Sequence, residues 1–460
     1  MCTSTVQRAE RRLRHAASLG RVLDLTERKR ASHGSTTGRS GARSSRETQI
    51  EASAIQKLCV DGDSVHHRGI RIRGAHIVGQ LDLSQMTLDF PLELVHCSFS
   101  DPVLLEGARL RSLRLSGCRL LGADANGRSL NCDGVRVAGS VDLDAGFDAL
   151  GQVRMVAGRV EGSLDCGGAT ARCTPEEALY FDRLRVDGNV FLDKATVDGG
   201  ISLRGSRIGG QVVCESVKLS RTGRGPVLDA RGATIEGLLK FSDLSAYQGR
   251  FNLTEASTRH LHLDDHGELP PMILDGFRYV AIYPWPISGG VSVEHRLKWL
   301  ESNARYVPGA YNTLAAAYRR SGFEEAAEQV LVAKQRHRRR EQLARPRRLL
   351  DLALDGLVRY GFSTWRAVAL LGVLLAAAAV FYSRAYPAMF SPAGQVERTP
   401  AFHPIAFASD VLLPIIDLNQ SSSWIAQGWA AAVTWVLIVV GWLLSTIAVV
   451  GLTGVLAKRD

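Results

Sequence analysis

Leu184-Arg185-Val186-Asp187-Gly188-Asn189-Val190-Phe191-Leu192 decides the fold, because it comes back. Ala195 to Leu203 and Ser206 to Cys214 follow it in unbroken register, an 11-residue step. The same pattern reads through Ala75-His76-Ile77-Val78-Gly79-Gln80-Leu81-Asp82-Leu83, Val135 to Leu143, Gly158 to Cys166 and Ala233 to Phe241. A worn copy begins at Ala108. The wider gaps, 23 to 27 residues, equal two steps plus a loop insertion.

Within each unit the first, third, seventh and ninth residues are apolar, so they share one face of an extended strand. Between them stand mostly polar residues such as His76, Gln80, Asp82, Arg136, Asp142, Glu161 and Asp165. The central glycine has no side chain to pack and marks a bend or a close approach of neighbouring backbone. A fixed period with one inward face means that each coil buries its apolar row against the next. An ordinary β-sandwich would not keep an 11-residue register. The pattern therefore predicts a mainly β chain, with a parallel β-solenoid over 69–266. Cys166 and Cys214 fall where Leu83 and Leu143 sit, which reads them as packing residues.

These units resemble the pentapeptide-repeat-related solenoids of actinobacterial membrane proteins, whose coils read roughly A-x-I-x-G-x-L-x-L. Later pieces are similar to that family too: Leu274 to Tyr279, Trp299-Leu300, Pro308 to Arg320, Val330 to Arg336, Arg359 to Phe362 with Trp365-Arg366, and Ser409 to Gln420. The similarity covers most of residues 50 to 460, and the Arg/Ser-rich insert at 28 to 46 departs from it. Relatives often carry the label "membrane-associated oxidoreductase", which would imply a bound flavin, nicotinamide or metal. The residues show no G-x-G-x-x-G after a strand, no P-loop lysine and no G-x-S-x-G elbow, so no cofactor is expected. DNA mimicry, known among pentapeptide-repeat proteins, requires a strongly acidic solenoid. Between Gly69 and Asp265 there are 23 Lys and Arg against 25 Asp and Glu, far from a phosphate-like surface. No specific nucleic-acid partner is expected.

The flanks are charged differently. The net charge of +10 comes largely from the N-terminal arm and a later basic run. Residues 1–48 hold eleven Lys or Arg against four acids and read as a basic, mostly disordered arm. A short amphipathic helix precedes the low-complexity part, with Leu13, Leu19, Val22 and Leu23 on one side. A short helical cap is expected over 49–68. Residues 267–348 read as a helical connector, in which Tyr311, Leu314, Ala315, Tyr318, Gly322, Ala327 and Leu331 sit at the spacings of one tetratricopeptide unit. One such hairpin makes no peptide-binding superhelix, so a plug on the solenoid is the expectation.

The C-terminal part reads as membrane. Trp429 to Ala457 runs 29 residues without a charge, and Ala367 to Ser383 runs 17 between Arg366 and Arg384. About 20 apolar residues cross a bilayer. The expectation is an interfacial helix over 349–366, spans at 367–383 and 429–457, and an outer loop at 384–428 with a re-entrant or interfacial segment. Eight Lys or Arg between Lys334 and Arg348, among them Arg338, Arg339, Arg340, Arg345, Arg347 and Arg348, stand against Glu341 alone. Such a run faces anionic lipid on the cytoplasmic side. A multi-pass plasma-membrane protein with both termini cytoplasmic is predicted, and a cytoplasmic body keeps the eight cysteines reduced.

Three constellations are chemical candidates. His260, His262 and Asp264 alternate onto one strand face at a spacing that could hold zinc or another divalent ion, or simply meet water. Asp410, Asp417, Asn419 and Gln420 lie between the apolar runs, where a two-span channel places its filter, although the T-V-G-Y-G carbonyl filter is absent. Gly441, Ser445, Ala448, Gly451 and Gly454 form a stripe of small residues that marks a close helix contact, within the chain or in a homo-oligomer. The leading expectation is a membrane-anchored solenoid scaffold with a protein partner. A channel-like oligomer and a redox enzyme stand as alternatives.

Overall fold

The computed structural model describes residues 3–26, 48–244, 247–264, 270–286, 292–301, 303, 305–342, 364–394, 400–413 and 416–456. The chain divides into two compact units, Met1–Lys334 and Gln335–Asp460.

The first unit is built on a parallel β-solenoid of about ten turns. Each turn lays two short strands on one sheet and one strand on each of two others, which hold eight and nine strands. The 11-residue unit is thus half a turn. The units at Leu184 and Ser206 pair directly, Arg185 with Arg207. The unit between them, from Ala195, runs on the opposite sheets as Thr196–Asp198 and Ile201–Ser202. The 23- to 27-residue gaps are whole turns lengthened by loops at 121–127, 173–178 and 221–226.

Inward residues stack in columns. Leu88, Leu110, Val137, Val160, Val186, Ile208 and Ile235 are successive register partners, and all are buried. Burying one such side chain contributes roughly 1.5–3 kcal/mol. Cys166 and Cys214 are buried in a neighbouring column with Leu143, Leu192 and Phe241, as the pattern predicts. Burial pushes the Cys214 thiol up to about 12.

The central glycines account for the corner. Gly162 N–H donates to Gly139 O at 3.0 Å, Gly188 to Gly162 at 3.0 Å, Gly210 to Gly188 at 2.9 Å and Gly237 to Gly210 at 3.0 Å. A Cβ on Gly188 would lie 2.6 Å from Gly162 O. The backbone of one turn occupies the space that a side chain on the next would need.

The ends are closed by helices. α1 (Thr3–Ser18) buries Ala9, Leu13 and Ala17, four residues apart, against the first strands, and Leu23–Asp24 extends the largest sheet by pairing with Ile72–Arg73. The arm up to Thr26 is therefore ordered, because its apolar stripe has an end face of the coil to cover. Residues 27–47 lie outside the described residues. α2 (Ala52–Val60) forms the expected short cap. At the other end the coil outlasts 266: Met272–Ile273 and Arg278–Tyr283 complete a further turn. α3 (Val293–Glu301), α4 (Pro308–Arg320) and α5 (Glu324–Gln342) follow, with α4 packed on that last strand. The Arg320 guanidinium donates to Val280 O at 2.9 Å.

In the second unit, α6 (Thr364–Ala385), α7 (Pro404–Leu412) and α8 (Trp429–Leu456) pack around Tyr382, Phe390, Phe407 and Leu412. A hairpin pairs Phe390–Pro392 with Trp424–Ala426. Among the described residues only α8 is long and apolar enough to cross a membrane, with mean hydropathy 1.8 over Trp429–Thr446. On α6 the apolar stretch among the described residues is Ala369–Ala385, shorter than that of α8. Most of the expected interfacial helix (349–363) and Arg345, Arg347 and Arg348 fall outside the described residues; Arg338, Arg339 and Arg340 lie on α5.

Candidate functional site

One column of the coil faces water with the same residue on five successive turns. Arg109, Arg136, Arg159, Arg185 and Arg207 are register partners, each exposed beside a buried aliphatic. Neighbouring strands stand about 4.8 Å apart, so the ladder spans roughly 19 Å. Like charges directly opposite on paired strands destabilise a sheet. At about 6 Å between charges in water the repulsion is roughly 0.7 kcal/mol per adjacent pair before screening.

The first four ladder arginines, Arg109 to Arg185, line an open groove of about 980 Å³. Its walls carry six arginines (Arg109, Arg111, Arg136, Arg159, Arg183 and Arg185) against two carboxylates, Asp89 and Glu161. Arg185 and Arg159 share Asp187 at 2.9 and 3.0 Å, and Arg159 also reaches Glu161 at 3.8 Å. The hydrogen bond from Arg185, with the Arg159 charge, holds the Asp187 carboxyl below the usual carboxylate range. Arg109, Arg111, Arg136, Arg183 and Arg207 form no salt bridge among the described residues. Ala138 and Ala157 leave the space between the guanidinium groups open, and no aromatic ring lines the groove. Arg183 occupies a corner with φ 54°, a left-handed position that other turns fill with glycine (Gly107, Gly134, Gly205, Gly232) or with Gln85, Ala157 and Glu255. The arrangement is an array of planar donor forks, suited to carboxylate or phosphate groups.

Sequence reasoning passed over this array. Its signal is visible in retrospect as arginine at the second position of the units at 108, 135, 158, 184 and 206.

The predicted site residues are placed as follows. His260, His262 and Asp264 lie half-buried on the outer side of the strand Ser257–Leu263 and just after it. His260 meets the Tyr283 ring edge-on at 5.7 Å, and Asp264 accepts the Asp243 N–H at 3.0 Å. Among the described residues no three His, Cys, Asp or Glu side chains come together to hold a metal.

Asp410 accepts the backbone N–H groups of Leu418 at 2.6 Å, Gln420 at 2.8 Å and Ser421 at 3.0 Å. Asp417 accepts from Asn419 N–H at 2.9 Å. Buried Gln420 accepts from His403 N–H at 3.1 Å and donates to Ala401 O at 3.2 Å. These polar groups hold their own loop together.

Gly441 and Ser445 face the end of α7 in the same chain: a Cβ on Gly441 would lie 2.4 Å from Leu412 O, and Ser445 donates to that oxygen at 3.5 Å. The first two positions of the stripe are thus an internal contact. The side-chain surroundings of Ala448, Gly451 and Gly454 lie outside the described residues.

No protein-family model matches the chain, and searches of curated proteins and of solved structures found no match either.

Proposed function

We propose that the chain is a membrane-tethered binding platform, in which the β-coil captures an anionic partner through the arginine-lined groove. One observation carries this reading. Arg109, Arg136 and Arg207 of the ladder, with Arg111 and Arg183 beside it, form no ion pair among the described residues, whereas on the nine-stranded face Arg154, Arg204 and Arg231 each have an aspartate. A ladder that costs stability when empty gains it back when an anion bridges the turns.

The membrane half of the proposal rests on α8. Its exposed side chains include Trp435, Val436, Val439, Trp442 and Leu443, an apolar surface that water does not favour. In this reading α6 crosses as well, its flanks assisting. The basic run from Lys334 then lies against anionic lipid on the cytoplasmic side, with both termini inside. A redox role is not favoured: six of the seven described cysteines, Cys59, Cys97, Cys118, Cys132, Cys166 and Cys214, are buried in the packed interior, and Cys173 is half-buried. The channel alternative is not favoured either, since Asp410 and Gln420 are engaged by backbone groups.

The test is binding of fluorescent polyglutamate to the full chain in detergent, with polylysine as control. Wild-type protein binds the polyanion with an affinity that falls steeply as salt rises. Changing Arg109, Arg136 and Arg183 together to Gln weakens it by about tenfold or more. An Arg172→Gln control, on another face, leaves it unchanged. Absence of binding at low salt, or equal binding by the triple variant, overturns the proposal.

A further inference from the structure

The groove has a pitch, and the pitch selects a ligand shape. We infer that the partner element is an acidic α-helix of another protein, lying along the coil axis with one carboxylate per turn of the coil. This rests on the platform reading above and specifies its ligand.

The ladder advances about 4.8 Å per step. An α-helix advances about 5.4 Å per turn, and residues three or four apart share a face. The mismatch is roughly 0.6 Å per step, or about 2.4 Å from Arg109 to Arg207, within the swing of a flexible guanidinium arm. An extended strand presents same-face residues about 6.7 Å apart, so it drifts nearly 8 Å over the same four steps. A strand matches two neighbouring arginines and then loses register; a helix matches all five.

The other lining residues agree. Ala138 and Ala157 add no bulk beyond a methyl group beside the arginine column, so little side chain stands in the way of a helix. Single-stranded nucleic acid is normally held by aromatic stacking as well as charge, and this groove has no aromatic ring. Asp89 and Glu161 are the two carboxylates of the lining, and Glu161 already faces Arg159 at 3.8 Å. The Arg fork takes a carboxylate in two parallel hydrogen bonds, so each matched turn adds a directional contact.

The experiment uses the full chain in detergent and three alanine-based peptides about 18 residues long with the same number of Glu residues. One carries Glu at positions i, i+4, i+7, i+11 and i+14 on a single face. The second scatters the same Glu residues around the helix. The third has Pro inserted to abolish helicity. Polyglutamate, a 20-nucleotide single-stranded RNA and vesicles rich in phosphatidylglycerol complete the panel. The striped helix is expected to bind about tenfold or more tightly than the scattered and broken peptides. The Arg109/Arg136/Arg183→Gln variant, whose unchanged thermal midpoint verifies folding, should erase that preference. Equal binding of the three peptides, or tighter binding of RNA or vesicles, overturns the helix inference while leaving an anion-binding face. Failure of every probe, polyglutamate included, overturns the platform reading itself.

Discussion

Two faces of the same coil use arginine in opposite ways. On the nine-stranded face, Arg154 pairs with Asp133 at 2.5 Å, Arg204 with Asp182 at 2.7 Å and Arg231 with Asp229 at 2.8 Å. The Tyr180 ring lies between Arg154 and Arg204, their guanidinium carbons 4.7 and 5.4 Å from its centroid. On the ladder face the strand geometry and spacing are the same, yet only Arg159 and Arg185 have carboxylates to share. Geometry is common to both, so the difference lies in which partners the sequence provides. Where each arginine has its aspartate the face is structural. Where the aspartates are missing, the guanidinium groups form no ion pair among the described residues.

The comparison breaks most severely at the glycine column, because that column sets the spacing of the ladder. Gly188→Val would force side-chain atoms into the space held by Gly162 O. An expected loss of about 3 kcal/mol or more follows from overpacking against backbone that cannot swing aside. Urea unfolding of the variant should show a lowered midpoint, with polyglutamate binding lost too. A normal midpoint would mean that the turns can separate at this corner without cost.

Next in size is removal of one partner from the neutralised face. Asp182 accepts from Arg204 Nε at 2.7 Å, from Arg204 N–H at 3.1 Å and from the Ser202 hydroxyl. Asp182→Ala strands these half-buried donors and should cost about 2 kcal/mol. Arg136→Gln on the ladder face removes only repulsion and should leave stability unchanged or raised by up to about 0.5 kcal/mol. Thermal unfolding of the two variants side by side sharpens the contrast. Equal destabilisation by both would mean that the ladder arginines are structural after all.

How much of this was readable follows from which interactions are local. The coil was legible because alternation and the central glycine are local and recur, and the glycine column matches the close approach expected of it. The ladder was present as letters but not as a surface. Seeing it requires knowing that alternate units lie on opposite sides, so that Arg185 meets Arg207 and not Thr196. The last turn was missed because the insertion between Asp264 and Met272 breaks the step. Acids in the loop read as pore candidates since composition says nothing of Asp410 sitting where three backbone N–H groups converge. That convergence brings together residues up to eleven positions apart in a fold without repeats.

The smallest expected effect lies on a column that mirrors the ladder with carboxylates. Arg71, Glu93, Arg114 and Asp142 alternate in sign along register partners, with ion pairs at 3.0 and 2.8 Å, until Asp142 meets Asp165. Partial burial raises the Asp165 carboxyl above its ordinary value. The nearby Asp144, Asp193 and Asp142 add to this, against a lowering hydrogen bond from Gly167 N–H. Between the ordinary and the raised value the folded chain holds more protons than the unfolded one, so stability falls as pH rises through that window. Asp165→Asn keeps an oxygen for Gly167 and removes the charge. It should raise the thermal midpoint by about 1 °C near pH 7, a modest gain because the group is only half-buried and partly screened by solvent. The gain should shrink as pH falls and vanish well below the ordinary carboxylate range, where the wild-type carboxyl is protonated in both states. A gain that persists at low pH would come from packing, and the carboxylate column would then not be the counterpart of the arginine ladder.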